Sequence, residues 1–221
     1  MKEFQRVLVC FATNAEAAAF RKPARALGDV TILITGMGPE NARAAIRSAL
    51  DGRSIDLVLS AGFAGGLDPS LARGTPVFAC DDPDLCRELA ALTARQARFL
   101  TSTAIATTAA EKLALRSSTH ADAVEMESGA LQAECSARGI PFAIARVISD
   151  AADEDLPLDF NELMTSEMKL SYLRLALHLA RSPGKIGKLR AFGKQVAVCA
   201  RTQASLLESL IQKLRTRGSA H

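Results

Sequence analysis

The chain has 221 residues, which suits one α/β domain, and its 48% hydrophobic content supports a folded core and excludes a disordered chain. With no Trp and 5% aromatic residues, that core is aliphatic; no apolar stretch is long enough to span a bilayer, and the acid in Met1–Arg6 speaks against a signal peptide, so a soluble, cytoplasmic protein is expected. The formal charge of +3 is unevenly spread, with nine Lys or Arg between Arg181 and Arg217 against Glu208 alone.

In chain order, Arg6–Phe11 is β-branched and apolar and predicts a buried first strand. A helix follows to Ala26, with Asn14 as its N-cap and Pro23 as a point of distortion. Val30–Thr35 predicts a second strand running into Gly36-Met37-Gly38-Pro39, where Pro39 fits the first turn of a helix to Leu50. Ile55–Ala61 predicts a third strand, ending in the glycine-rich turn 62–66, and Thr75–Cys80 a fourth, followed by a helix from Pro83 to about Arg98. Ala121–Glu127 and Phe142–Ile148 predict two more strands, separated by the helix Gly129–Arg138. Beyond them come a loop over Asp155–Asn161, an amphipathic helix over Leu170–Ala180, and a long final helix capped by Ser182-Pro183-Gly184. Strands alternating with helices imply a single-domain, three-layer α/β/α architecture. Its central sheet is mixed, largely parallel and twisted, with ligands at the carboxyl ends of the strands. The catalytic domain is placed at residues 1–181 and a basic helical extension packed on it at 182–221. That extension reads either as a solvated helix face or as a contact for an anionic partner such as a lipid surface. Nucleic acid is not expected, because no aromatic stacking platform or reading motif accompanies the charge.

Cys10, Cys80, Cys86, Cys135 and Cys199 lack a C-x-x-C pair and read as reduced thiols. His120, His178 and His221 are too isolated to suggest a metal site, so neither metal nor cofactor is expected. The chemistry lies elsewhere. Glu125 and Glu127 are two apart on a predicted strand, which turns both carboxylates to one face. Burying an unpaired carboxylate costs several kcal/mol, so a core strand has no structural reason to carry both. The plain alternative is that one pairs with an arginine and the other sits exposed at the strand end. The buried strand Phe142–Ile148 contains Arg146, which could keep a neighbouring carboxylate ionised, and leads into Ser149-Asp150, a carboxyl placed to hold and donate a proton. Gly36-x-Gly38 and Gly62-x-x-Gly65-Gly66 allow a ligand close to the backbone, yet neither matches a P-loop.

The order Thr35-Gly36-Met37-Gly38, Ser60-Ala61-Gly62-Phe63-Ala64-Gly65-Gly66-Leu67, Val124-Glu125-Met126-Glu127, Arg146-Val147-Ile148-Ser149-Asp150 resembles the nucleoside phosphorylase and nucleosidase superfamily. It is most similar to the methylthioadenosine/S-adenosylhomocysteine nucleosidase branch. The run from Ala104 to Lys112 and the Pro157–Phe160 loop with its basic tail resemble a narrower, hopanoid-associated group that releases adenine from adenosylhopane. The resemblance implies that Asp150, oriented by Ser149, protonates purine N7, and that Glu127 holds the ribose hydroxyls with Met126 packed on the sugar. It further implies that Glu16 activates water positioned by Arg146, with Glu125, Gly62, Phe63, Ala64 and Ile105 lining the substrate site. The expected partner is a small-molecule nucleoside, the expected assembly a homodimer, and the basic tail a peripheral membrane contact.

Three departures qualify that picture. Phe63 stands where the nucleosidases carry a small hydroxyl residue. The segment that family members insert after the fourth strand is nearly gone, which implies a more open pocket able to take a bulky 5′ substituent. Phosphorylase relatives place an arginine where Ser60 stands, so water is favoured over phosphate as nucleophile. The alternatives are a phosphate-dependent phosphorylase and a catalytically degenerate nucleoside-binding protein.

Overall fold

The computed structural model describes residues 4–165, 167–182 and 184–218, with side chains through 216. His221 and Pro183 of the expected helix cap lie outside the described residues. The strands are β1 (Val7–Phe11), β2 (Val30–Ile34), β3 (Leu57–Gly66), β4 (Pro76–Cys80), β5 (Arg95–Gln96), β6 (Phe99–Thr101), β7 (Ala123–Glu125) and β8 (Phe142–Asp150). They form one eight-stranded sheet in the order β2-β1-β3-β8-β4-β5, with β7 branching from β3 and β6 from β7. The run β2-β1-β3-β8 is parallel, whereas β4 is antiparallel to β8 and β7 to β3. A mixed, largely parallel sheet was expected and is found.

Strand β1 shows why both faces are covered. Val7, Val9 and Phe11 alternate into a cluster with Phe20, Leu85, Leu207, Leu210 and Ile211, while Leu8 and Cys10 join Ile46, Leu50 and Leu131 on the other face. The first face is covered by helices α2 (Arg21–Ala26), α4 (Pro83–Ala91) and α9 (Lys185–Gly218). The second is covered by α3 (Pro39–Leu50) and α6 (Ser128–Ser136), giving the three layers.

Several local expectations change. Asn14 is not the cap of one long helix; Thr13 is, in a reciprocal capping box with Glu16, and the short α1 (Asn14–Ala17) stops before α2 begins. Pro23 then sits in the first turn of α2, where its missing N–H costs nothing. The glycines 62–66 are not a turn but the last residues of β3, paired with β8 and, at Gly65 and Gly66, with β7. Side chains there would be crowded: a Cβ on Gly65 would lie 3.2 Å from Val124, and one on Gly66 the same distance from the Asp150 carbonyl. The helix from Pro83 ends at Ala91, because Thr93 turns to positive φ and Arg95–Gln96 pairs with β4. An additional helix, α5 (Ala109–Thr119), is capped by Thr108 and Glu111. Cys80 and Cys86 form a disulfide, so they are not the free thiols expected, while Cys10, Cys135 and Cys199 are free and buried.

The chain closes with α7 (Phe160–Leu163), α8 (Tyr172–Arg181) and the 34-residue α9. Cys199, Leu207, Leu210 and Ile211 of α9 are buried, but residues 185–198 are half-buried or exposed, and α8 buries no residue at all. Among the described residues no helix is long and apolar enough to cross a membrane.

Candidate active site

The site is built where β1, β3, β7 and β8 end. Leaving β1, the chain makes the α1 capping box, and this local device fixes Glu16: its Oε2 accepts from the Thr13 N–H at 2.8 Å and from the Thr13 hydroxyl at 3.0 Å. Its Oε1 faces β3 and accepts from the Phe63 N–H at 3.3 Å. Gly62 makes this approach possible. Its φ is +133°, and a Cβ there would stand 2.6 Å from Glu16 Oε1 and 3.3 Å from Arg146 Nη1.

Arg146, in register with Gly62 on β8, is 2% exposed. Its Nη1 donates to the Phe63 carbonyl at 2.8 Å, while Nη2 lies 2.8 Å from Glu125 Oε2 and 3.2 Å from both Glu127 Oε2 and Ser60 Oγ. The expected Arg–carboxylate pairing is present, and it is shared. Glu125 and Glu127 reach it from different backbone states, however, and not from one strand face: Glu125 ends β7, and Glu127 is already the N-cap of α6. That difference divides their work. Glu125 accepts the N–H groups of Glu127 and Ser128 at 2.8 and 2.7 Å, closing the open end of α6, and accepts the Thr101 hydroxyl at 2.6 Å. Among the described residues, Glu127 accepts only the Gly38 N–H, at 2.9 Å, besides Arg146.

The electrostatics follow. Burial disfavours charge on Glu125, but Arg146 and the ring of donors hold its carboxyl below the usual range. Burial pushes the Glu127 carboxyl up, with Arg146 opposing and the Glu125 charge reinforcing. Burial also pushes Glu16 up, against Arg146 and the donors from Thr13 and Phe63. Arg146 loses solvation too, yet Glu125, Glu127 and Glu16 together hold its pKa above the ordinary value.

Asp150 forms a second focus at the end of the same strand. Its Oδ1 accepts the Ser149 hydroxyl at 2.6 Å, the pairing expected from sequence, and its Oδ2 lies 2.5 Å from Lys112 Nζ. It pairs in register with Gly65, whose Cβ would lie 3.4 Å from Oδ2. Gly62 and Gly65 are three residues, roughly 10 Å, apart along β3. The two foci are therefore separated by about the reach of a small ligand. Ala64, between them, has its carbonyl 3.3 Å from Ser149 Oγ. Met126 is buried in the turn from β7 to α6. Ile105 is not tied to either focus; its N–H and carbonyl are both bonded to the Asn161 side chain. Sequence reasoning missed Thr101, Lys112, Gly38 as donor and Ser60 as acceptor. The Thr108-x-x-Glu111 spacing announces α5 and would have brought Lys112 into view.

Residues 82–180 match the profile of the Phosphorylase superfamily. The fold shared with solved structures extends over nearly all of the chain. A futalosine hydrolase of Helicobacter pylori is 17% identical, with 95% of this chain and 98% of that one covered at a TM-score of 0.69. A 5′-methylthioadenosine/S-adenosylhomocysteine nucleosidase from Colwellia psychrerythraea, in complex with adenine, is 18% identical over 96% of each chain, at 0.70. The corresponding Neisseria meningitidis enzyme, in complex with methylthio-immucillin-A, is also 18% identical, over 95% of this chain and 99% of that one, at 0.70. The likeness of fold thus extends upstream of the profile match.

Proposed function

We propose that the chain is a nucleosidase that hydrolyses the N-glycosidic bond of a 5′-substituted purine nucleoside and releases adenine. The observation that carries this reading is the pair of carboxyl foci along β3, Glu16 opposite Gly62 and Asp150 opposite Gly65. Glycoside cleavage by direct attack of water needs an acid on the leaving-group side and a base on the other, with room between them for water. Asp150, held by Ser149, delivers a proton to N7, so the base departs neutral. Glu16, whose carboxyl burial pushes up, takes the proton from water on the opposite side of the sugar. Glu127 accepts from the ribose hydroxyls, and Arg146 holds Glu127 and the Phe63 carbonyl in place. Positive charge developing at the anomeric carbon is met by Glu16 and Glu127. Met126 packs on the sugar, and Gly62, Phe63 and Ala64 line it.

Water suits this site better than phosphate. Three carboxylates surround one guanidinium, and the position that would supply a second cation is Ser60, itself bonded to Arg146. A phosphate dianion would meet net negative charge. The 5′ substituent is of the methylthioadenosine or the adenosylhopane kind. The latter is supported by α8 and the first half of α9, which expose Tyr172, Leu173, Leu177 and Ile186 among basic residues and offer contact with an anionic membrane surface. Incubation with adenosylhopane, methylthioadenosine, S-adenosylhomocysteine and inosine, with and without phosphate, tests the reading. Phosphate-independent adenine release from at least one substrate is expected; release that needs phosphate, or none from any, defeats it.

A further inference from the structure

Lys112 has no part in the mechanism above, yet it is completely buried and stands beside the carboxyl that must deliver the proton. Taking a lysine out of water costs several kcal/mol unless its bonds are all remade. Here that cost is met: Nζ donates to the Ala151 carbonyl at 2.8 Å and the Glu154 carbonyl at 2.7 Å, and its charge is paired with Asp150 Oδ2, 2.5 Å away. The counter-ion of this buried ammonium is thus the reacting group itself.

The hydrogen-bond arithmetic of this arrangement is unusual. As an ammonium, Nζ donates three bonds. As a neutral amine it keeps two N–H donors for the two carbonyls, and its lone pair accepts from a protonated Oδ2. A proton can therefore cross the 2.5 Å from Nζ to Oδ2 while both carbonyl bonds are kept. We propose that Lys112 is a positioning residue that fixes the Asp150 carboxyl and supplies it with the proton that the leaving base takes. The inference rests on the nucleosidase reading for the fate of that proton. In sequence, the Nζ–H proton passes to Oδ2, and the carboxyl proton passes to N7 as the C1′–N9 bond breaks and its electron pair leaves with the base. Water bonds to C1′ and gives its spare proton to Glu16. Afterwards the amine regains one proton from solvent and Glu16 releases one, so the cycle closes. The other charged or titratable groups facing the pair are Glu154 and Arg73, which bond to each other, and the Cys199 thiol from α9.

The test uses the full-length wild type, Lys112→Met and Asp150→Asn. Base release is followed against pH, together with thermal melting and the 15N signals of lysine Nζ groups. For Lys112→Met, kcat/KM is expected to fall about a hundredfold at the alkaline end and about tenfold or less at the acid end. Its alkaline limb should move at least one pH unit lower. Loss by one factor at every pH, following the melting temperature, overturns the proposal. In wild type, one lysine Nζ signal protected from solvent exchange should shift when Asp150 becomes Asn. This second measurement holds even where Lys112→Met fails to fold, and an unmoved signal overturns the proton sharing. A wild type that releases no base defeats the nucleosidase reading alone, since the Nζ signal still decides whether the proton is shared.

Discussion

Replacing Arg146 with Met removes the single guanidinium shared by Glu125 and Glu127 and leaves two buried carboxylates uncompensated. Breaking a buried pair by removing one partner costs about 3–5 kcal/mol. Here the Ser60 and Phe63 bonds go as well, so the upper half of that range is expected. For a chain of this size the melting temperature should fall by roughly 8–20 °C. With no Trp and one Tyr, far-ultraviolet circular dichroism is the suitable probe. The pH dependence supplies the sharper check. Glu125, held low in the folded protein, contributes stability above its unfolded range and loses it as pH falls through the folded one. Glu16 and Glu127, pushed up, behave oppositely: their contribution is complete in acid and is lost as pH rises through their folded values. Removing Arg146 abolishes the first contribution and strengthens the second, so the deficit should be greatest at neutral pH and shrink in acid. A deficit below about 1 kcal/mol, or one independent of pH, would refute the claim that this guanidinium organises the site.

Glu16→Gln should lower turnover by about 10²–10⁴ and remove the acid limb of the pH–rate profile, since Glu16 must be ionised to accept a proton and burial pushes that ionisation upward. A profile whose acid limb survives the substitution would reassign the base. Gly62→Ala places a methyl against Glu16 at a φ of +133°, so destabilisation of about 1–3 kcal/mol with loss of turnover is expected in melting and activity assays. Unchanged melting and kcat would mean that the close approach of Glu16 to β3 is not essential. The triple change Lys188→Ala, Arg190→Ala and Lys194→Ala, on exposed positions, should weaken sedimentation with anionic liposomes and spare base release. Equal sedimentation of the triple variant and wild type would remove the membrane contact.

The sheet and its order of strands and helices are largely legible from the chain, because β1, β3 and β8 are continuous apolar runs that only a doubly covered strand explains. Arg146 and Asp150 also stand out as charges in such a run. What stays hidden depends on residues that change backbone state. Glu125 and Glu127 look like neighbours on one strand face, but the chain turns into α6 between them, and one becomes a cap while the other keeps bonding capacity free. The glycines of β3 read as a turn by composition, and only the packing of Glu16, Val124 and Asp150 against them shows why a strand needs residues without side chains. Lys112 is invisible for a third reason. A lysine on an unremarkable helix is ordinarily solvated, and its burial is set by where β8 and its loop end.

The most direct measurement is adenine release by wild type and Asp150→Asn from a 5′-substituted adenosine, with and without phosphate, beside calorimetric binding of the same nucleoside. Wild type should release adenine without phosphate, and Asp150→Asn should be slower by about 10²–10⁴ while binding the nucleoside within a few fold of wild type. Near-wild-type release by Asp150→Asn, or strict dependence on phosphate, would contradict a hydrolase whose leaving base is protonated from the end of β8.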